Sequence, residues 1–143
     1  MEARFPGAEP TGPAGRSTFE WILGGQFLMQ RTGFSVPGPP DGVSIVGADA
    51  DGEGFTQHYF DSRGIARVYA MTFDGAVWKL QRDAPDFTEL PFHQRYTGTF
   101  SDDTRMIDGQ WERSDDGVTW DHDFALTYRK VVWRGTGTKP LAA

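Results

Sequence analysis

Within one short stretch the chain reads Tyr59-Phe60-Asp61-Ser62-Arg63-Gly64, then Arg67-Val68-Tyr69, then Val77-Trp78-Lys79-Leu80. Two half-apolar runs flank an Asp-Ser-Arg-Gly turn, and a third follows Asp74-Gly75. This is the pattern of consecutive β-hairpins, in which side chains alternate between a buried and a wetted face. It sets two arginines, two tyrosines and a tryptophan on neighbouring strands. A small all-β domain with such residues on its inner face is built to hold something.

The same pattern extends over most of the 143 residues. Strands are predicted at 16–23, 26–32, 43–48, 55–61, 66–73, 77–82, 92–100, 105–113 and 120–130, the last running on to Trp133. Gly24-Gly25 makes the first tight turn, and residues 33–40 form a proline-rich loop that cannot continue a ladder. Five Asp-Gly dipeptides occur, at 41–42, 51–52, 74–75, 108–109 and 116–117. Four fall where turns are needed, whereas Asp108-Gly109 lies inside a strand and reads as a β-bulge. No helical segment is long enough for a crossover between parallel strands. Sequential antiparallel strands in this number form a sandwich or close into a barrel. Meandering order with alternating faces favours an antiparallel up-and-down β-barrel, which also removes exposed edges.

Residues 1–15 contain three prolines and three glycines without periodicity and read as a flexible arm. Residues 16–133 then form a single barrel domain, and 134–143 a frayed tail. One domain of this length can bury a real core, and 14% aromatic residues suit a β-structure. The net charge of −6 disfavours nucleic acid or an anionic membrane surface as partner. With no cysteine, disulfides, thiolate chemistry and Cys-ligated zinc are excluded. No apolar run reaches the ~18 residues of a membrane span, and residues 1–15 lack a signal peptide's basic-then-apolar layout. A cytoplasmic location is the expectation.

Several segments together carry a resemblance: Tyr59 to Gly64, Arg67-Val68-Tyr69, Trp78-Lys79-Leu80, Arg82-Asp83-Ala84-Pro85, Gly98-Thr99-Phe100-Ser101, and Trp111 through Trp120 to Phe124. In these the chain resembles the DUF1579 group, bacterial proteins related to the calycin or lipocalin-like barrels. The likeness covers residues 16–131 and rests on turn and core motifs. It implies a lipocalin-like barrel and carries over no catalytic residue. Members of the group open with a Trp-Gly-containing strand, and only residues 1–15 stand in that place here. The resemblance thus leaves either a barrel incompletely closed at its N-terminal strand or one closed by something irregular. An open edge on the strand at 16–23 would be covered by the arm or by a second subunit, and a homodimer is the expectation.

In a barrel the alternation also sorts residues by direction. The inward class comprises Phe19, Trp21 and Leu23; Phe27 and Met29; Phe55, Gln57, Tyr59 and Asp61; Arg67, Tyr69, Met71 and Phe73; and Trp78, Leu80 and Arg82. It continues with Gln94, Tyr96 and Phe100, then Trp111, then His122, Phe124, Leu126 and Tyr128. The expected pocket lining is Trp21, Tyr59, Arg67, Tyr69, Trp78, Arg82, Trp111 and His122, under a lid at residues 83–91. Tryptophan and tyrosine offer flat walls with a polar tip, and arginine a fork that suits a carboxylate. A desolvated arginine needs an acceptor, either Asp61 or Glu112 within the protein or the anionic group of a ligand.

The three histidines do not read as a metal site, because His58 alternates outward and His93 sits beside the Pro91 break. His122 is a candidate haem ligand, since some calycin-type barrels hold haem through a late histidine. Ser114 to Trp120 resembles an Asp-box turn one residue short, and reads as a hairpin whose Asp side chains bind turn amides. There is no Gly-x-Ser-x-Gly elbow, phosphate loop, dinucleotide fingerprint or His-Glu-x-x-His. The leading expectation is a non-enzymatic protein that binds a small apolar or amphiphilic acid without a cofactor. The alternatives are an enzyme acting on such a molecule, with Tyr69, Arg67 or His122 moving a proton, a haem-binding barrel, or a packed interior with no pocket.

Overall fold

A computed structural model describes residues 2–4 and 15–131 of the protein. Ten strands follow in order: β1 (Glu2–Arg4), β2 (Gly15–Ile22), β3 (Phe27–Phe34), β4 (Gly42–Ala48), β5 (Phe55–Asp61), β6 (Ala66–Phe73), β7 (Val77–Arg82), β8 (His93–Phe100), β9 (Met106–Ser114) and β10 (Asp121–Arg129). The nine longer strands lie within a residue or two of those predicted, except that β10 ends at Arg129 and does not continue through 130–131; the rest of the expected run to Trp133 lies outside the described residues. Each pairs antiparallel with its sequence neighbour, so the domain is an up-and-down sheet curled upon itself. Its first and last members, β2 and β10, are not paired with each other. The three-residue β1 bridges them, setting Glu2 opposite both Arg16 and Arg129. Residues expected in a loose arm thus supply a closing strand. The edge of β2, expected to be covered by the arm or by a second subunit, is met by β1 of the arm at Gly15 and Arg16. The rest of the arm and the tail at 134–143 lie outside the described residues.

Register decides which residues face inward. On β5 to β9 the alternation is as predicted, and Gln57, Tyr69, Trp78, Leu80, Gln94, Tyr96 and Ile107 are all buried. Strand β3 departs from it. Its buried residue is Gln30, directly opposite Phe19, so Phe27 and Met29 belong to the outer class. The apolar pattern misled here, because an inward amide is satisfied by polar neighbours. Gln30 Nε2 donates to Ser17 Oγ and to Tyr128 Oη, each at 3.4 Å, and the Ser17 and Thr32 hydroxyls lie 2.6 Å apart. The second departure is on β10, where a β-bulge falls between His122 and Phe124. A one-residue slip reverses every side chain beyond it. His122 therefore sits on the outer face, exposed, opposite Glu112.

The core is aromatic. Tyr69, Trp78, Leu80, Tyr96, Ile107 and Tyr128 form the buried cluster. Trp78 meets Tyr96 edge-on at 4.9 Å between centroids, and Tyr96 meets Trp111 at 5.2 Å. Such pairs add about 0.5–1.5 kcal/mol each beyond their burial. Asp108-Gly109 is not a bulge, since β9 keeps continuous register with both neighbours there. Gly109 lies opposite Gly98 on β8, and the Tyr96 ring lies over the pair. Those two missing side chains give the ring its seat.

The turn at Ser114 to Trp120 behaves as a self-bonded hairpin. Asp116 Oδ1 accepts from the amides of Val118 and Thr119 and from Ser114 Oγ, and Gly117 takes the left-handed conformation at φ 78°. Beyond the turn, the Arg95 guanidinium stacks on Trp120 at 4.1 Å and forks onto Glu112 at 2.9 and 3.1 Å. Glu112 is thereby engaged on the outer face and does not serve an interior arginine. No helix of the described residues is long and apolar enough to cross a membrane.

Candidate functional site

The strands enclose a cavity of about 400 Å³. This lies within the range of ~300–1,000 Å³ usual for small-molecule sites. Phe34, Pro40, Arg63 and Phe92 form its rim, at the end that carries the β3–β4, β5–β6 and β7–β8 connections. Its wall is largely aromatic, with Trp111 nearly parallel to Phe124 at 28° and Tyr69 edge-on to Trp111 at 5.8 Å. Between the rings, Gln30, Thr32, Ser44, Gln57 and Gln94 present neutral polar groups.

Of the eight residues expected to line a pocket, the structure brings five together: Tyr59, Arg67, Tyr69, Trp78 and Trp111. Trp21 shares the inward parity of Ser17 and Phe19 but stands near the far end of β2, where it is 62% exposed. His122 is turned outward by the bulge, so a group in the cavity has no access to it. Arg82 points inward and is 2% exposed, yet it lies outside the cavity. Its acceptor is neither Asp61 nor Glu112 but Asp86, four residues on. The fork is complete, Nε to Oδ2 at 2.9 Å and Nη2 to Oδ1 at 3.0 Å, and Nη2 also reaches the Thr88 and Glu89 carbonyls. Asp86 in turn accepts from the Val68 amide, and Thr88 Oγ1 donates to the Ala66 carbonyl. The segment expected as a lid is thus stapled to β6 and β7.

Sequence reasoning left Gln30 and Thr32 out of the site because the apolar Phe27 and Met29 set the expected facing of β3, and it assigned no facing to the strand that carries Ser44. The signal for Gln30 was present. A two-residue Gly24-Gly25 turn sets Phe19 opposite Gln30, and cross-strand partners share a face.

At the rim, Arg63 binds Asp61 at 2.7 Å, and the same carboxylate accepts from Tyr59 Oη at 2.9 Å. Burial alone would raise the Asp61 carboxyl, but the hydrogen bonds from Arg63 and Tyr59 outweigh it and bring it down to about 2. A carboxylate depressed on folding stabilises the fold fully above its ordinary value, about pH 4, and loses that contribution as pH falls through its folded value. Asp86 is depressed too, first by its bonds from Arg82. Melting temperature should therefore fall as pH drops from 5 towards 2. Asp61→Asn, less stable than the parent at pH 7, should approach it in stability at pH 2. Parallel profiles for the two proteins would contradict the assignment.

The interior phenols are held neutral. Burial pushes Tyr128 up to about 12 and raises Tyr59, Tyr69 and Tyr96 as well. Tyr59 and Tyr69 donate their hydroxyls to Asp61 and Gln94, whereas the Tyr128 hydroxyl accepts from Gln30. Among the described residues no carboxylate, histidine or cysteine lines the cavity, and the charged groups that line it are the Arg63 and Arg67 guanidiniums. Arg63 is neutralised by Asp61. Among the described residues Arg67 donates to the neutral Gln94 Oε1, at 3.2 Å, beside Tyr69, whose Oη donates to the same oxygen at 3.1 Å. The buried Arg67 Nε has no hydrogen-bond partner. Among the described residues no carboxylate lies within ion-pair distance of Arg67.

Fold and cavity together define an antiparallel meander barrel with an aromatic, cationic interior. No family model matches the chain, and no curated protein matches it either.

Proposed function

We propose that this protein binds a small, mostly apolar molecule bearing an anionic group, with the anion at Arg67 and the apolar body against Trp78, Trp111 and Leu126. The observation that carries this reading is Arg67 itself, a guanidinium facing an aromatic cavity without a counter-charge. A half-buried guanidinium with its Nε unpaired is stabilised by an anion that pairs with it, and the fork geometry suits a carboxylate. The Arg82–Asp86 pair nearby supports the reading by contrast, since there the fold supplies the acceptor.

Thermal denaturation in the presence of naphthoate and decanoate tests it. A ligand that binds only the folded state at a hundred times its Kd adds about 2.7 kcal/mol of stability. Arg67→Met should weaken the binding of the acid by roughly tenfold to a hundredfold, as expected for a hydrogen bond to a charged group. Stabilisation by neither acid, or equal affinity in the Arg67→Met protein, would overturn the proposal.

A further inference from the structure

We propose that the ligand is a planar aromatic acid carrying a neutral hydroxyl group, and that Gln57 is the residue that selects it. This inference rests on the cavity-binding reading above and names its ligand class. Three glutamines stand buried on inward positions: Gln30, Gln57 and Gln94. Gln30 is held by Ser17 and Tyr128, and Gln94 by Arg67 and Tyr69. Gln57 differs. It is 4% exposed, it lines the cavity, and its Oε1 is buried without a partner. Its cross-strand neighbours are Val46, which offers no polar side chain, and Tyr69, whose hydroxyl is committed to Gln94.

Buried amides are almost always satisfied, and one left free beside a cavity marks where a ligand's polar group belongs. A hydroxyl suits it whichever way the amide is turned, because it both donates and accepts. The shape of the body follows from the wall. Nine of the twenty lining residues are aromatic, and the nearly parallel Trp111 and Phe124 present flat surfaces that match a planar ring system. An alkyl chain would leave the Gln57 amide facing hydrocarbon. Sites built to hydrogen-bond a group reject analogues that lack it.

The test is isothermal titration calorimetry with naphthoate, the positional isomers of hydroxynaphthoate, and decanoate. At least one hydroxynaphthoate should bind the parent protein roughly tenfold tighter than naphthoate. Gln57→Leu should abolish that advantage, while Arg67→Met should weaken both aromatic acids alike. A hydroxyl that brings no gain with any isomer overturns the inference, as does an advantage that survives Gln57→Leu. The comparison of ligands on the parent protein stands even where a variant does not fold. If naphthoate or decanoate binds through Arg67 but no hydroxyl helps, the anion-binding reading holds and this one fails. If none of the acids binds, both fail.

Discussion

Arg82→Met should lower the unfolding free energy by about 3–5 kcal/mol, the cost of removing one partner from a buried ion pair. At this chain length that corresponds to a fall in melting temperature of roughly 10–15 °C. The reason is what remains behind. Asp86, with a side chain 10% exposed, loses both of its guanidinium bonds, and the Thr88 and Glu89 carbonyls lose their donor. The middle of the segment then keeps the bonds of Asp86 with the Val68 and Thr88 amides and of Thr88 with the Ala66 carbonyl, and its start keeps those of Asp83 with Gln81 and His93. Urea denaturation at pH 7 measures the loss. Affinity for an acid in the cavity should stay within about threefold of the parent below the melting transition, because Arg82 does not line it. The two interior arginines are thereby distinguished: Arg82 should set stability and Arg67 affinity. A stability loss under about 1 kcal/mol would show that the staple does not hold the segment.

Gly109→Ala should cost about 3 kcal/mol, at the upper end of what overpacking a core exacts. A methyl at this position runs into the Leu126 carbonyl oxygen of β10 and into the Tyr96 ring. The carbonyl belongs to a paired backbone and has nowhere to move. Gly98→Ala should be milder, because it is less tightly enclosed. Its methyl would meet Tyr96 Oη at 2.7 Å and Ile107 Cγ2 at 2.9 Å, both ends of side chains. Comparing the two alanine variants by thermal unfolding checks the mechanism. Equal losses would mean that the Tyr96 ring, and not the strand behind it, sets the limit.

Legible from the chain alone were the nine longer strands, nearly all their boundaries and their antiparallel succession, but not the closing β1. Turn chemistry and alternation are local properties, and local properties are written in order along a sequence. The same logic found Tyr59, Arg67, Tyr69, Trp78 and Trp111, since each lies on a strand whose alternation runs unbroken from turn to turn. It failed at His122 because one extra residue in β10 reverses the facing, and nothing in Asp121-His122-Asp123 announces where the bulge falls. It failed at Gln30 because hydrophobicity was used as a proxy for direction, while a polar network with Ser17 and Tyr128 makes an inward amide acceptable. Tyr128 lies 98 residues away in sequence, so that network exists only once the barrel has closed.

The remaining decisions were tertiary for the same reason. Whether Arg82 met a carboxylate of its own chain depended on where the following loop returned, and it returned Asp86 to within 2.9 Å. Whether Arg67 did so depended on strands β5 to β8, which bring it only a neutral glutamine. Two arginines of the same parity, on neighbouring strands of one curled sheet, ended in opposite electrostatic states. Alternation orients a side chain, but only the packed neighbours of that position decide whether its charge is answered from within the protein.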